Sequence, residues 1–140
     1  MGKAYVSSFV YCDSIQQQVT PQGIQNQIVS PLQMLAPISV PGNYSFAIAC
    51  SIMGYDKDKS NRLVLEFVDP KDNVSTLADV TIQPVGIQTP TGKSVPAIQF
   101  NLDIRNFVLR YEGLHKTRVK LNDEVLAEYM ITVVSGEQNG

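Results

Sequence analysis

Between Tyr44 and Met53 the chain reads YSFAIACSIM, and the period of its apolar residues narrows the choice of fold. Tyr44, Phe46, Ile48, Cys50 and Ile52 fall on one face of an extended segment, and Ser45, Ala47, Ala49 and Ser51 on the other. A helix would scatter the same set around its axis. RLVLEFV repeats the pattern, with Leu63, Leu65 and Phe67 opposite Arg62, Val64 and Glu66. AIQFNLDIR does so again, with Ile98, Phe100, Leu102 and Ile104 opposite Gln99, Asn101, Asp103 and Arg105. Each of these strands has one face to bury.

Weaker alternation predicts strands over Tyr5 to Cys12, Gly23 to Val29, Leu77 to Gln83, Leu114 to Leu121 and Val125 to Val134. VPGN, DKDKSN, DPKDN, TPTGK and LND supply turn chemistry between them. About eight short strands with no long periodic helix imply an all-β fold, an antiparallel two-sheet β-sandwich of immunoglobulin-like or jelly-roll-like kind. Its expected core is Tyr44, Phe46, Ile48, Ile52, Leu63, Leu65, Phe67, Phe100, Leu102 and Ile104. The inward set that ends at Ile104 resumes at Phe107, Leu109 and Tyr111, a one-residue shift that calls for a bulge near Arg105 and Asn106, where the strand is expected to turn a corner between sheets. The first 40 residues are less regular and are expected to form polar edge strand and loop. A frayed tail is expected over residues 135 to 140.

A chain of 140 residues that is 44% apolar and 17% charged suits one domain, residues 1 to 140, with one core. The formal charge of -2 supplies no field to attract nucleic acid or anionic lipid. No run is long enough for a membrane helix, and MGKAYVSSFVYCD has no signal-peptide apolar region. A cytoplasmic location is therefore expected, with Cys12 and Cys50 as reduced, buried residues.

The aspartates around RLVLEFV resemble metal ligands at first sight. Asp56 and Asp58 precede the strand, however, and Asp69 and Asp72 follow it. At about 3.3 Å per residue the two groups stand some 25 Å apart, whereas calcium ligands lie about 2.3–2.6 Å from the ion. They are read as turn formers, and no metal or other cofactor is expected. GIQTPTGKS has five residues between Gly86 and Gly92 where a phosphate-binding loop needs four, and Pro96 opposes the helix that would follow. His115 is the single histidine, and neither cysteine is near it in sequence. No catalytic residue is assigned.

Lys116, Arg118 and Lys120 alternate with Thr117, Val119 and Leu121, so the cations project from one face as a candidate anion patch. A three-residue loop, Asn122 to Glu124, would set Val119 beside Ala127 and Arg118 beside Glu128, giving a consistent hairpin. The glutamine-rich stretch IQQQVTPQGIQNQI is a candidate interaction edge. It carries no charge to repel another strand, and Ile15, Val19, Ile24 and Ile28 offer apolar contact.

VPGNYSFAIACSIMGYDKDKSNRLVLEFVDPKDN, followed later by FVLRYEGLHKTRVKLNDEVLAEYMITVV, resembles an uncharacterised family of small bacterial and phage-associated β-sandwich proteins, DUF6941. The resemblance implies a sandwich and brings no activity with it. The leading expectation is a non-enzymatic protein-interaction or structural module, phage- or prophage-encoded, with a protein partner or self-association. A carbohydrate or other ligand-binding sandwich is the alternative, weakened by the absence of Trp. An unrecognised hydrolase is third.

Overall fold

A strand with one apolar face is stable only when that face meets another, and the strands of this chain do so as two stacked sheets. The computed structural model describes residues 3–82, 86–88 and 94–136. Among them are β1 (Tyr5–Thr20), β2 (Gly23–Pro31), β3 (Met34–Leu35), β4 (Gly42–Met53), β5 (Asn61–Val68), β6 (Val74–Ile82), β7 (Gly86–Gln88), β8 (Ser94–Leu109), β9 (Gly113–Leu121) and β10 (Glu124–Val133). The first sheet has the order β2-β1-β4-β8-β7 and the second β3-β10-β9-β5-β6. All neighbours are antiparallel except β3 and β10, which run parallel. The described residues thus form an all-β sandwich with ten strands rather than eight; β3 and β7 are too short to show a period. No helix among them is long and apolar enough to cross a membrane.

The core lies between the sheets. Phe46, Ile48, Ile52, Leu63, Leu65, Phe67 and Ile104 are buried as expected, and Tyr44, Phe100 and Leu102 pack against them half-buried. β9 and β10 close it with Val119, Leu121, Ile131 and Val133. One polar bridge crosses it: the Tyr11 hydroxyl of β1 lies 2.7 Å from Thr117 Oγ1 and 2.9 Å from the Tyr129 carbonyl oxygen. It donates to the carbonyl and shares a hydrogen bond with the threonine hydroxyl. Burial pushes the Tyr11 phenol up to about 12, which keeps it a neutral donor.

The expected bulge in β8 is present. Tyr44 pairs with Phe107 and Phe46 with Ile104, so Arg105 and Asn106 both face Ser45. Asn106 takes φ 52°, and its N–H donates to Ser45 Oγ at 3.0 Å. The corner expected there is not: β8 stays paired with β4 on both sides of the bulge, and Tyr111, expected to face inward, lies past the end of β8 and is exposed.

The β9–β10 hairpin reaches the expected register by another route. Val119 pairs with Ala127 and Arg118 with Glu128, but Glu124 pairs with Leu121, so the loop is Asn122 and Asp123 alone. Both residues take positive φ, 51° and 67°, the left-handed pair that a tight hairpin turn requires. The missing residue appears as a bulge between Val125 and Ala127. Asn122 pins the turn to β5, accepting from the Arg62 N–H at 2.9 Å and donating to Asn61 Oδ1 at 2.8 Å.

Of the residues 135 to 140 expected to fray, Ser135 and Gly136 are described. The Gly136 N–H donates to the Pro37 carbonyl at 2.6 Å and Ser135 Oγ to the Ile38 carbonyl at 3.3 Å, so both residues are tied to the segment after β3. Residues 137–140 lie outside the described residues.

Candidate interaction site

The glutamine-rich stretch is more ordered in architecture than its composition suggests. β1 continues past Cys12 to Thr20, turns over Pro21 and Gln22, and returns as β2, with Ile15 opposite Ile28, Gln17 opposite Asn26 and Val19 opposite Ile24. Residues facing each other across a ladder share a side of the sheet, and that side repeats every second residue. All four predicted residues, Ile15, Val19, Ile24 and Ile28, therefore lie on one face of the hairpin. Gln16, Gln18, Gln25 and Gln27 occupy the other.

This apolar stripe faces solvent. Val19 is 84% exposed, Ile24 67% and Ile28 38%, while Ile15 at the hairpin base is half-buried. A cleft of about 160 Å³ beside that base is lined by Ser14, Ile15 and Gln17 and by Asn101, Asp103 and Arg105 of β8. Arg105 pairs with Asp103 at 3.1 Å, so the charges nearest the hairpin answer each other.

β2 is also the outermost strand of its sheet. Open edges are usually blunted by shortness, charge or a bulge. β3 and β7 are short, and β6 carries a bulge near Leu77 and an Asp79 bound by Arg62 at 2.6 Å. β2 has nine residues and no charge. Among the described residues it is the long edge that lacks these devices.

Lys116, Arg118 and Lys120 do share the outer face of the second sheet, as expected, but two carboxylates occupy them. Glu128 Oε2 lies 3.1 Å from Lys116 Nζ and 3.2 Å from Arg118 Nε. Glu66 Oε1 lies 3.3 Å from Arg118 Nη1 and 3.8 Å from Lys120 Nζ. The hydrogen bond from Lys116, followed by that from Arg118, holds the Glu128 carboxyl below its usual range. Three cations facing two anions leave a small local excess, and an incoming anion must compete with both carboxylates. Glu66 was visible in the sequence, but its place beside Arg118 depends on the β5–β9 register.

His115 points inward, in phase with Thr117, Val119 and Leu121, a parity readable from the sequence. It is buried, stacks on Phe67 with ring centroids 5.3 Å apart, and sets Nδ1 3.0 Å from the Gly113 carbonyl oxygen. With Phe67, Asp69, Ser75, Phe107 and Arg110 it lines a cleft of about 300 Å³ at one end of the sandwich. The cysteines lie on opposite faces of the first sheet, Cys12 beside Ala47 and Cys50 beside Phe9 on the core side. Burial pushes the Cys50 thiol up to about 12 and the Cys12 thiol upward as well, so neither is poised as a thiolate.

The turn aspartates are engaged by their own backbone. Asp69 Oδ1 accepts from the N–H groups of Lys71 at 2.8 Å and Asn73 at 2.9 Å, and Oδ2 accepts from Asn73 Nδ2 at 2.9 Å. Asp56 Oδ1 accepts from the Asp58 N–H at 3.0 Å. Among the described residues no group of three metal-ligating side chains converges. Of the phosphate-loop look-alike GIQTPTGKS, residues 89–93 lie outside the described residues. Partial burial opposes ionisation of Asp69, but the bonds from Asn73 and Lys71 and the nearby His115 outweigh it and lower its pKa. A lowered folded-state pKa contributes stability above the unfolded value, about 3.9, that is lost as pH falls through the folded value. Asp69→Asn is therefore expected to flatten the acid limb of a melting-temperature profile below that pH. Calcium is expected to leave the melting temperature of the parent protein unchanged, whereas a calcium-dependent rise abolished by Asp69→Asn would contradict the turn assignment.

The model of a family of unknown function, DUF6941, matches residues 7–134. No curated protein matches the chain. Among solved structures, an immunoglobulin-like protein from Pseudomonas aeruginosa is similar at 12% identity and TM-score 0.43, over 95% of this chain and 98% of that one. The Pseudomonas fluorescens alkylpurine DNA glycosylase AlkC, bound to DNA containing an abasic site analog, is similar at 13% identity and TM-score 0.44 over 93% of this chain. A β-glucosidase from Listeria innocua in complex with gluconolactone is similar at 12% and 0.46 over 98%. The chain spans 30% of the AlkC chain and 17% of the glucosidase chain.

Proposed function

We propose that this chain, which belongs to the DUF6941 family of unknown function, is a non-enzymatic interaction module that binds protein by strand addition at β2. A cytoplasmic setting in a bacterial or phage context is part of this reading. The observation that carries it is the β1–β2 hairpin, a long uncharged edge with an exposed apolar stripe on one side. Main-chain hydrogen bonds at such an edge give affinity, and alternate side chains give selectivity. The net charge of -2 and the pairing of the basic stripe with Glu66 and Glu128 weigh against nucleic acid as the partner.

Photo-cross-linking tests this directly. A photoreactive residue replacing Ile24 is expected to give discrete cross-linked protein species, which Asn26→Pro removes without lowering the melting temperature. The same photoreactive residue at Thr81, on the outer strand of the other sheet, is expected to give none. Equal labelling from both positions, or none from Ile24, contradicts the proposal. The cleft beside His115 favours a second reading, a sandwich that holds a sugar or another small polar ligand through Arg110 and Ser75. A ligand retained in native mass spectrometry and lost on Arg110→Ala would support that reading over the first.

A further inference from the structure

β2 contains the run Ile24-Gln25-Asn26-Gln27-Ile28, which reads the same in both directions. An antiparallel strand that meets a second copy of itself does so about a two-fold axis, and a palindromic strand then places like side chains opposite like. We propose that the partner at the β2 edge is a second copy of this chain, paired antiparallel about an axis through residue 26, so that two five-stranded sheets join into one. This rests on the reading of β2 as an interaction edge and names its occupant.

The hydrogen-bonding sides agree with this register. Backbone groups along a strand point alternately to its two neighbours. Thr20 and Gly23 pair across the two-residue turn, and since Pro21 has no N–H the bonds of that pair run between Thr20 and Gly23 themselves. Carrying the alternation along the β1–β2 register turns Gly23, Gln25, Gln27 and Val29 toward β1. The N–H and C=O groups of Ile24, Asn26 and Ile28 point to the open edge. At Ser30, with φ 54°, the alternation resets, so that the Leu32 N–H donates to the Tyr11 carbonyl at 2.8 Å and Pro31, which has no N–H, costs no ladder bond. About the proposed axis Asn26 meets Asn26 of the second copy, and Ile24 meets Ile28 of the second copy. Each outward residue thus faces another outward residue.

The side chains agree as well. Ile24 falls opposite Ile28 of the second copy on the same face of the joined sheet, between Val19 of one hairpin and Ile15 of the other. Two separate exposed stripes become one apolar band across four strands. Charge adds the remaining argument: any charged side chain near a two-fold axis confronts its own image, and no Asp, Glu, Lys, Arg or His occurs between Asp13 and Asp56. A foreign strand would require no such symmetry of the sequence.

Light scattering on the purified protein, run over a dilution series, is expected to show twice the monomer mass at high concentration and the monomer on dilution. Asn26→Pro removes an outward N–H, and Ile24→Lys sets a cation beside the axis. Each is expected to weaken self-association by about tenfold or more while leaving the circular-dichroism melt intact. Asn26→Cys supplies a positive test. Facing residues at a hydrogen-bonded site have Cα atoms about 5.5 Å apart, within disulfide reach, so mild oxidation is expected to give a covalent dimer. Thr81→Cys is expected not to do so. A strict monomer at all concentrations, or a dimer that Asn26→Pro leaves intact and Asn26→Cys does not trap, overturns the self-pairing. If cross-links from Ile24 then still capture a different protein, the interaction edge itself stands. If they capture nothing, both fail.

Discussion

Replacing Phe46 by Ala is expected to lower the unfolding free energy by about 3–5 kcal/mol, the cost of a large aromatic deletion whose surroundings collapse only in part. Phe46 is fully buried in the central strand β4, with the rings of Tyr11, Tyr44 and Phe67 at 6.4, 6.2 and 6.1 Å. Those neighbours come from both sheets, so no single strand can shift to fill the void without losing contacts elsewhere. For a domain of this size such a loss is a large part of total stability. Urea unfolding followed by circular dichroism measures it. A midpoint shift equivalent to less than about 1 kcal/mol would show that Phe46 does not sit at the centre of the core.

Tyr11→Phe is expected to cost about 1–3 kcal/mol while removing a single oxygen atom. That oxygen is the polar link between the sheets, and without it the fully buried Thr117 hydroxyl loses its inter-sheet partner. Thr117→Val on the same background removes the stranded hydroxyl and is expected to recover part of the loss, so the double variant should be less destabilised than the sum of the singles. Strict additivity would mean that the two groups do not interact. The same substitution is not expected to alter the hairpin, because the exposed stripe begins at Ile15, four residues further along β1 and beyond the reach of the Tyr11 hydroxyl.

The strands that could be read from the chain were those whose two faces differ in polarity. β4, β5 and β8 alternate cleanly because one side meets the other sheet and the other meets water or short side chains. β3 and β7, at two and three residues, are held by neighbouring ladders rather than by a pattern of their own. β1 beyond Cys12 was hidden for a different reason: Gln16, Gln17 and Gln18 are all polar, so the stretch has no contrast between faces except at Ile15 and Val19. The four residues singled out as an edge nevertheless share a face, because each pair is separated by an even number of positions along its own strand. Their opposition across the ladder depends on the turn at Pro21 and Gln22, which sequence reasoning had not resolved.

The β9–β10 hairpin shows that register is more legible than loop geometry. Burial demanded that Val119 face Ala127, and an extra loop residue was one way to achieve it. The left-handed conformations at Asn122 and Asp123 and a bulge near Leu126 achieve the same alignment with a tighter turn. The basic stripe follows similar logic. Its common face could be read from alternation, and its partner Glu128 from the hairpin register, but Glu66 enters from a strand more than fifty positions away along the chain.

Residue-resolved amide hydrogen exchange by NMR tests the open β2 edge most directly. At high dilution the Ile24, Asn26 and Ile28 amides are predicted to exchange rapidly, while those of Gln25, Gln27 and Val29 are protected by β1. Raising the protein concentration is predicted to slow the first set and leave the second unchanged. Protection of Ile24 and Asn26 at every dilution, or rapid exchange of both sets alike at every concentration, would contradict an edge open to strand addition.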